Sequence, residues 1–201
     1  WAVEAIAKLG DDLNAEQIRQ HLSRDGVSLV RFVKTDAAAT GVSSMIASHD
    51  RNATLFINRG ANELLSADDV GDGFSGADVV HIGPLSSGSA EALPAYAKRA
   101  KADGAFVSIN PGIRQLTGRA QRVFEALAHT DLISINAVEA EALVPAFAPF
   151  APPPGPIPAD APELMRRGLT FGGFEMCVTD FVKALRERGP RYVVITDGAH
   201  G

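Results

Sequence analysis

What this sequence lacks narrows the reading first. Its 201 residues contain a single cysteine, Cys177, so no internal disulfide can form. Cys177 falls on an apolar stretch expected to be helical, which reads as a plain core thiol. There is no run of 18 apolar residues, so no membrane-spanning helix is expected. Basic residues do not predominate: the formal charge is −5, which argues against coating nucleic acid or a membrane surface. The five histidines show no metal-ligand spacing. Neither a Gly-x-Ser-x-Gly elbow nor a Cys-x-x-Cys pair is present, and neither is the Gly-Lys-Ser/Thr end of a Walker loop. Trp1 is not a natural start residue, and no signal peptide precedes it, so the chain is expected to begin inside a longer protein.

What is present is ordinary globular composition, 46% hydrophobic and 21% charged, enough for one sizeable core or two small ones. Apolar residues at Ala2, Val3, Ile6 and Leu9 have helical spacing. A second helix is expected over 15–24, closed by Gly26, and a strand over 27–33. Two strands, 41–48 and 54–58, flank the polar turn His49-Asp50-Arg51-Asn52. Strand and helix then alternate: strands at 79–82, 105–109 and 132–135, helices at 90–101, 118–127 and 137–143. Eight of the twelve prolines lie between Pro145 and Pro162, which predicts an extended surface insertion, with a partner-binding polyproline segment as the alternative. Phe174, Val178, Phe181, Val182 and Leu185 predict one helix face, leading to a buried strand at 192–195. Such alternation implies a mainly parallel sheet with helices on both faces, and the hairpin lies outside that layer.

Ligands in open α/β sheets sit beyond the carboxyl ends of the strands. Three polar stretches fall there: SINPGIR, SINAVE and TDGAHG. Asn136 and Glu139 suit a site for Mg²⁺ and phosphate, since magnesium favours oxygen and one carboxylate can act through water. The same Asn-x-x-Glu spacing is also a helix capping box. Thr196, Gly198 and Gly201 form a T-x-G-x-x-G turn whose glycines let the backbone approach a phosphate; an ordinary strand-to-helix turn is the alternative. Arg114 follows a Pro-Gly turn and is either a phosphate clamp or a surface arginine. His200, inside the glycine turn, is expected to face solvent, with contact to a nucleotide as the alternative.

The order of these motifs resembles the ribokinase-like, or phosphofructokinase B, family of carbohydrate kinases. That family carries a Thr-Gly, a strand hairpin and a Gly-Ala-Asn, similar to Thr40-Gly41 and Gly60-Ala61-Asn62. Its Asp-x-Asn-x-Arg stretch, or a Pro-Gly variant, is similar to Asn110–Arg114, with Asn110 where many members have Asp and Gly112 where many have Asn. Its Asn-x-x-Glu is similar to Asn136–Glu139, and its Thr-x-Gly-x-x-Gly to Thr196–Gly201.

The resemblance implies a ribokinase-like α/β three-layer sandwich with a mainly parallel central sheet and a small β hairpin or lid. It reads residues 1–201 as one such domain, truncated at both ends, with a lid-like β segment about 27–60 and the Pro-rich insertion about 145–162. The family's N-terminal strand and Gly-Gly-x-x-Asn stretch are absent, so the chain is expected to start inside the first helix. The close succession of Leu9-Gly10 and Asp11 suggests pieces joined across a gap. The family's Gly-Ala-Gly-Asp, whose Asp is the general base, would follow Gly201.

The implied activity is ATP-dependent phosphorylation of a sugar hydroxyl. A nucleoside kinase, or a non-catalytic nucleotide- or sugar-binding relative, remains the alternative. The implied cofactors are ATP and Mg²⁺, with Asn136, Glu139, Thr196, Gly198 and Gly201 at the nucleotide and Glu139 meeting the metal through water. Gly60 and Asn62 would contact substrate, and Arg114 the transferred phosphate. The expected partners are a small-molecule sugar or nucleoside and, through the lid strands, a second copy of the chain; no nucleic acid or membrane is expected, and the expected location is cytoplasmic.

Overall fold

The computed structural model describes residues 1–47, 53–71, 73–150 and 157–198. In chain order the elements begin with β1 (Glu4–Leu9), α1 (Leu13–Arg24), β2 (Ser28–Lys34), β3 (Val42–Ala47), β4 (Ala53–Asn58) and β5 (Val79–Ile82). There follow α2 (Ser87–Glu91), α3 (Leu93–Ala102), β6 (Phe106–Ile109), α4 (Ile113–Gly118), α5 (Ala120–Leu127), β7 (Leu132–Asn136) and α6 (Ala137–Phe147). The chain continues through α7 (Glu163–Arg167), β8 (Leu169–Phe171), β9 (Phe174–Met176), α8 (Val178–Arg186) and β10 (Tyr192–Thr196). They divide into two compact units, residues 1–71 with 86–92, and residues 72–85 with 93–201.

In the first unit the N-terminal stretch is a strand, which corrects the helix expected there. β1 pairs in parallel with β2, with Ile6 opposite Arg31 and Leu9 opposite Lys34. Eight residues are too few to sustain a helix from local bonds. Their apolar positions fit either period, and long-range pairing settled the outcome. Leu9-Gly10-Asp11 leads from β1 into α1. Asp12 caps α1 by accepting the Ala15 N–H (2.9 Å), and its other oxygen accepts the Thr40 N–H (2.7 Å). These donors, Thr40 foremost, hold the Asp12 carboxyl below the usual carboxylate range. Thr40 is buried, and its hydroxyl accepts the Gly10 N–H at 2.9 Å.

β3 and β4 form the expected antiparallel hairpin, Val42 opposite Asn58 and Ile46 opposite Thr54. The turn His49-Asp50-Arg51-Asn52 lies outside the described residues. Alternation puts Val42, Ile46 and Phe56 on one face and Met45, Leu55 and Ile57 on the other, and all six are exposed. The root of the hairpin is a knot of close backbone approaches. Ala61 donates its N–H to the Ala39 carbonyl (2.8 Å), and a Cβ on Gly60 would lie 2.1 Å from that same oxygen.

The second unit holds four parallel strands in the order β10-β7-β6-β5. Val107, Ile109, Ile133 and Ile135 are buried in the sheet, and so are Ala97 and Ala100 of α3, Val123 and Leu127 of α5, and Leu143 and Val144 of α6. Phe147 stacks edge-on against Phe124 and Phe181, both at 5.6 Å between ring centres. α6 runs on through Pro145 to Phe147, so the proline-rich stretch opens as helix; residues 151–156 of that insertion lie outside the described residues. A Pro early in this turn costs one backbone bond, and the burial of Phe147 offsets it.

Three further expectations are corrected here. Phe174 belongs to the β8–β9 hairpin, not to a helix face: Gly172 and Gly173 both have positive φ (59° and 83°), the turn that pairs Phe171 with Phe174. Cys177 is not a core thiol. It is half-buried at the N-cap position of α8, where its Sγ donates to Asp180 Oδ2 at 2.8 Å. β10 is not buried along its length: among the described residues it pairs with β7 alone, with Tyr192 and Val194 exposed and Val193 and Ile195 half-buried.

Candidate functional site

The carboxyl ends of β5, β6, β7 and β10 share one rim, because all four run parallel. On that rim Thr196 lies directly opposite Asn136 in the register of β10 with β7. The glycine turn and the start of α6 are therefore adjacent.

Asn136 and Glu139 form a reciprocal cap. Asn136 Oδ1 accepts the Glu139 N–H, and Glu139 Oε2 accepts the Asn136 N–H, both at 2.9 Å. This is the capping alternative seen in the sequence, and it is compatible with a second role. The bond engages one oxygen of a half-exposed carboxylate, which has lone pairs to spare for a metal-bound water. Among the described residues no group of three His, Cys, Asp or Glu could cage a metal ion. The donor set thus fits magnesium held mainly by phosphates and water, with Glu139 reached through water. α6 also presents its N-terminal N–H groups and dipole to the rim, a setting that favours anions.

After β6, Asn110 donates its amide to the Ser134 carbonyl (2.6 Å), tying the end of β6 to β7. Gln115 Oε1 accepts the N–H groups of Leu85 (2.8 Å) and Gly112 (3.2 Å), so one buried amide fixes the loops that leave β5 and β6. Arg114 sits exposed in the first turn of α4. Thr196 and Gly198 are exposed; Gly198 has φ +59°, and open space lies where its Cβ would be. Gly201 and His200 lie outside the described residues. Gly60 and Asn62 belong to the first unit, in the knot below the hairpin; a Cβ on Gly41 would come within 2.6 Å of Asn62 Nδ2.

Sequence reasoning missed a cluster beside the turn. Arg167, at the end of α7, donates from Nη2 to Asp197 Oδ1 (2.8 Å) and from Nη1 to Glu141 Oε1 (3.0 Å). No spacing rule links positions 141, 167 and 197. The one local hint was a carboxylate inside the glycine turn.

A family model described as pfkB family carbohydrate kinase matches residues 2–201. A search of curated proteins found no match. Among solved structures, a fructokinase from Xylella fastidiosa described with bound ATP superposes with a TM-score of 0.71 at 20% identity, over 98% of this chain and 57% of that one. Ribokinase from Giardia lamblia gives 0.71 at 20% identity, over 98% and 54%. The nucleoside kinase of Methanocaldococcus jannaschii gives 0.66 at 17% identity, over 100% and 54%. The chain spans a little over half the length of these solved chains, and they share its ribokinase-like α/β fold.

Proposed function

The chain belongs to the pfkB family of carbohydrate kinases, and from that premise we propose that the whole protein transfers the γ-phosphate of ATP to a sugar hydroxyl. The observation that carries this reading is the register of Thr196 with Asn136, which sets a glycine turn beside the capped start of α6. Phosphoryl transfer depends mostly on positioning and on stabilising charge. Thr196, Gly198 and Gly201 hold the nucleotide, with backbone N–H groups offered to its phosphates. Asn136 shapes the start of α6, and Glu139 orients the water shell of the metal. Mg²⁺, when bound, neutralises charge on the phosphates. Arg114 steadies the transferred group as a planar fork. Gly60 and Asn62 contribute to the sugar side, under the hairpin as lid. The general base is an Asp in the family's Gly-Ala-Gly-Asp, beyond Gly201.

A nucleoside as acceptor is the second reading, favoured by the likeness to the archaeal nucleoside kinase. The test is ATP turnover by the full-length protein across a panel of sugars and nucleosides. Sugar-dependent turnover is expected, nucleoside-dependent turnover moves the assignment to the second reading, and nucleotide binding without turnover marks a non-catalytic relative. In the same assay Glu139→Gln is expected to lower kcat roughly 10–100-fold and to raise the Mg²⁺ requirement. A variant that lost only melting temperature would show that the carboxylate serves as a cap and nothing more.

The hairpin bears apolar side chains on both faces, and a lone two-stranded hairpin is marginal in water. This supports pairing of two copies through the lid strands. Sedimentation of the full-length protein is expected to give a dimer that Phe56→Asp splits; a monomer at micromolar concentration would exclude that pairing.

A further inference from the structure

The hairpin of β3 and β4 is fastened at one end. Among the described residues its strands pack chiefly on each other, and apolar side chains on both of its faces are exposed. Its direction is therefore set at the root, where residues 39–41 enter β3 and residues 59–61 leave β4. A strand of six residues is about 20 Å long, so a tilt of roughly 10° at the root carries the tip about 3 Å.

Two sets of contacts hold that root. On one side the Ala61 N–H donates to the Ala39 carbonyl. On the other, the turn between β1 and α1 reaches across. Thr40 Oγ1 accepts the Gly10 N–H, and a Cβ on Gly10 would lie 2.6 Å from the Thr40 nitrogen. Asp12 completes this side with both of its oxygens. Oδ1 accepts the Ala15 N–H and so caps α1, while Oδ2 accepts the N–H of Thr40, two residues before β3. A helix cap needs only one oxygen, and serine with its single hydroxyl serves as well. The second oxygen is thus more than a cap requires. Thr40 is buried, and a buried N–H needs a partner. The Thr40 bond is also the chief cause that holds the Asp12 carboxyl below its usual range.

We propose that Asp12 is the anchor of the hairpin, a positioning residue whose Oδ2 fixes the angle at which β3 leaves the first unit and so aims the lid over the acceptor. This rests on the reading of the hairpin as a lid and of Gly60 and Asn62 as the sugar side. The two oxygens have separate tasks: Oδ1 holds the helix, and Oδ2 holds the lid. A lid that is aimed wrongly leaves the acceptor loosely oriented, and orientation is much of what a phosphoryl transfer requires.

The test compares the wild-type full-length protein with Asp12→Ser and Asp12→Ala, by hydrogen exchange of backbone amides, KM for ATP and KM for the acceptor. Asp12→Ser keeps a cap and loses the tie. Its α1 amides are expected to exchange as in wild type, while those of residues 40–47 and 53–58 exchange ~10-fold faster. KM for the acceptor rises ~10-fold, on the scale of one charge-assisted hydrogen bond, and KM for ATP is unmoved. Asp12→Ala shows the same changes together with faster exchange in α1. Hairpin amides that keep the wild-type rate in Asp12→Ser would overturn the anchor and leave Asp12 a helix cap. A loosened hairpin with an unmoved acceptor KM would overturn its part in aiming the lid. Should Asp12→Ser fail to fold, Asp12→Asn carries the same comparison, since its amide offers one acceptor oxygen to two N–H groups. Wild-type protein that phosphorylates no acceptor would bring down the kinase reading itself, while the exchange rates still decide whether Oδ2 anchors the hairpin.

Discussion

Purified alone, the 201-residue chain is expected to turn over no ATP with any of the sugars or nucleosides on which the proposed full-length kinase is tested. No Gly-Ala-Gly-Asp occurs within these residues. In the kinase reading that motif supplies the general base, worth ~10²–10⁴-fold, and backbone donors to the transferring phosphoryl, whose loss singly costs ~10²–10³-fold. The strand edge of β10 adds a second handicap, since unpaired N–H and C=O groups invite association with other chains. Steady-state ATPase measurements on both proteins, over one acceptor panel, make the comparison. Acceptor-dependent turnover by the 201 residues would mean that they contain the base, and the motif assignment around Gly201 would be wrong.

The second large effect is expected at Gly60. A Cβ there would meet the Ala39 carbonyl oxygen at 2.1 Å, and φ is +49°. Backbone atoms cannot swing aside as a side chain does. Left-handed backbone costs a non-glycine residue roughly 1–2 kcal/mol, and overpacking of this kind about 1–3 kcal/mol more. Gly60→Ala should therefore lose several degrees or more of melting temperature, as the Ala61 to Ala39 hydrogen bond is pushed apart. Gly198→Ala makes the contrast: its φ of +59° carries the first cost, but nothing lies within 4 Å of the new Cβ. Its expected loss is in ATP affinity more than in stability. Equal thermal losses in the two variants would show that the knot below the hairpin yields to an added methyl. Gly60 would then be a glycine for the substrate's sake, not the backbone's.

Much of the second unit is legible in the order of its residues. Strand and helix alternate from Val79 onward, and each apolar run has turn residues at its ends. The Asn136–Glu139 cap, the closure of α1 at Gly26 and the Gly-Gly hairpin turn at 172–173 are encoded within three or four residues. The last of these is local as well, but the apolar spacing from Phe174 reads as one helix face, and the hairpin emerges only in the structure. The family resemblance also rests on local motifs, while the rule for parallel strands, read from the strand and helix alternation, is what puts Asn136 and Thr196 on one rim.

The misplaced elements share a different cause. Ala2 to Leu9 has no local bond that prefers strand to helix; parallel pairing with β2, more than twenty residues away, decides it. Val194 is as apolar as a core residue, yet it is exposed on β10, which among the described residues pairs on one side alone. Cys177 leaves the helix face because α8 begins one residue later. The fork of Arg167 joins three segments whose separations in the chain obey no period. Hydrogen bonds between near neighbours leave their mark in residue spacing. Pairing, edges and ion pairs between distant segments do not, since their geometry exists only once the sheet has formed.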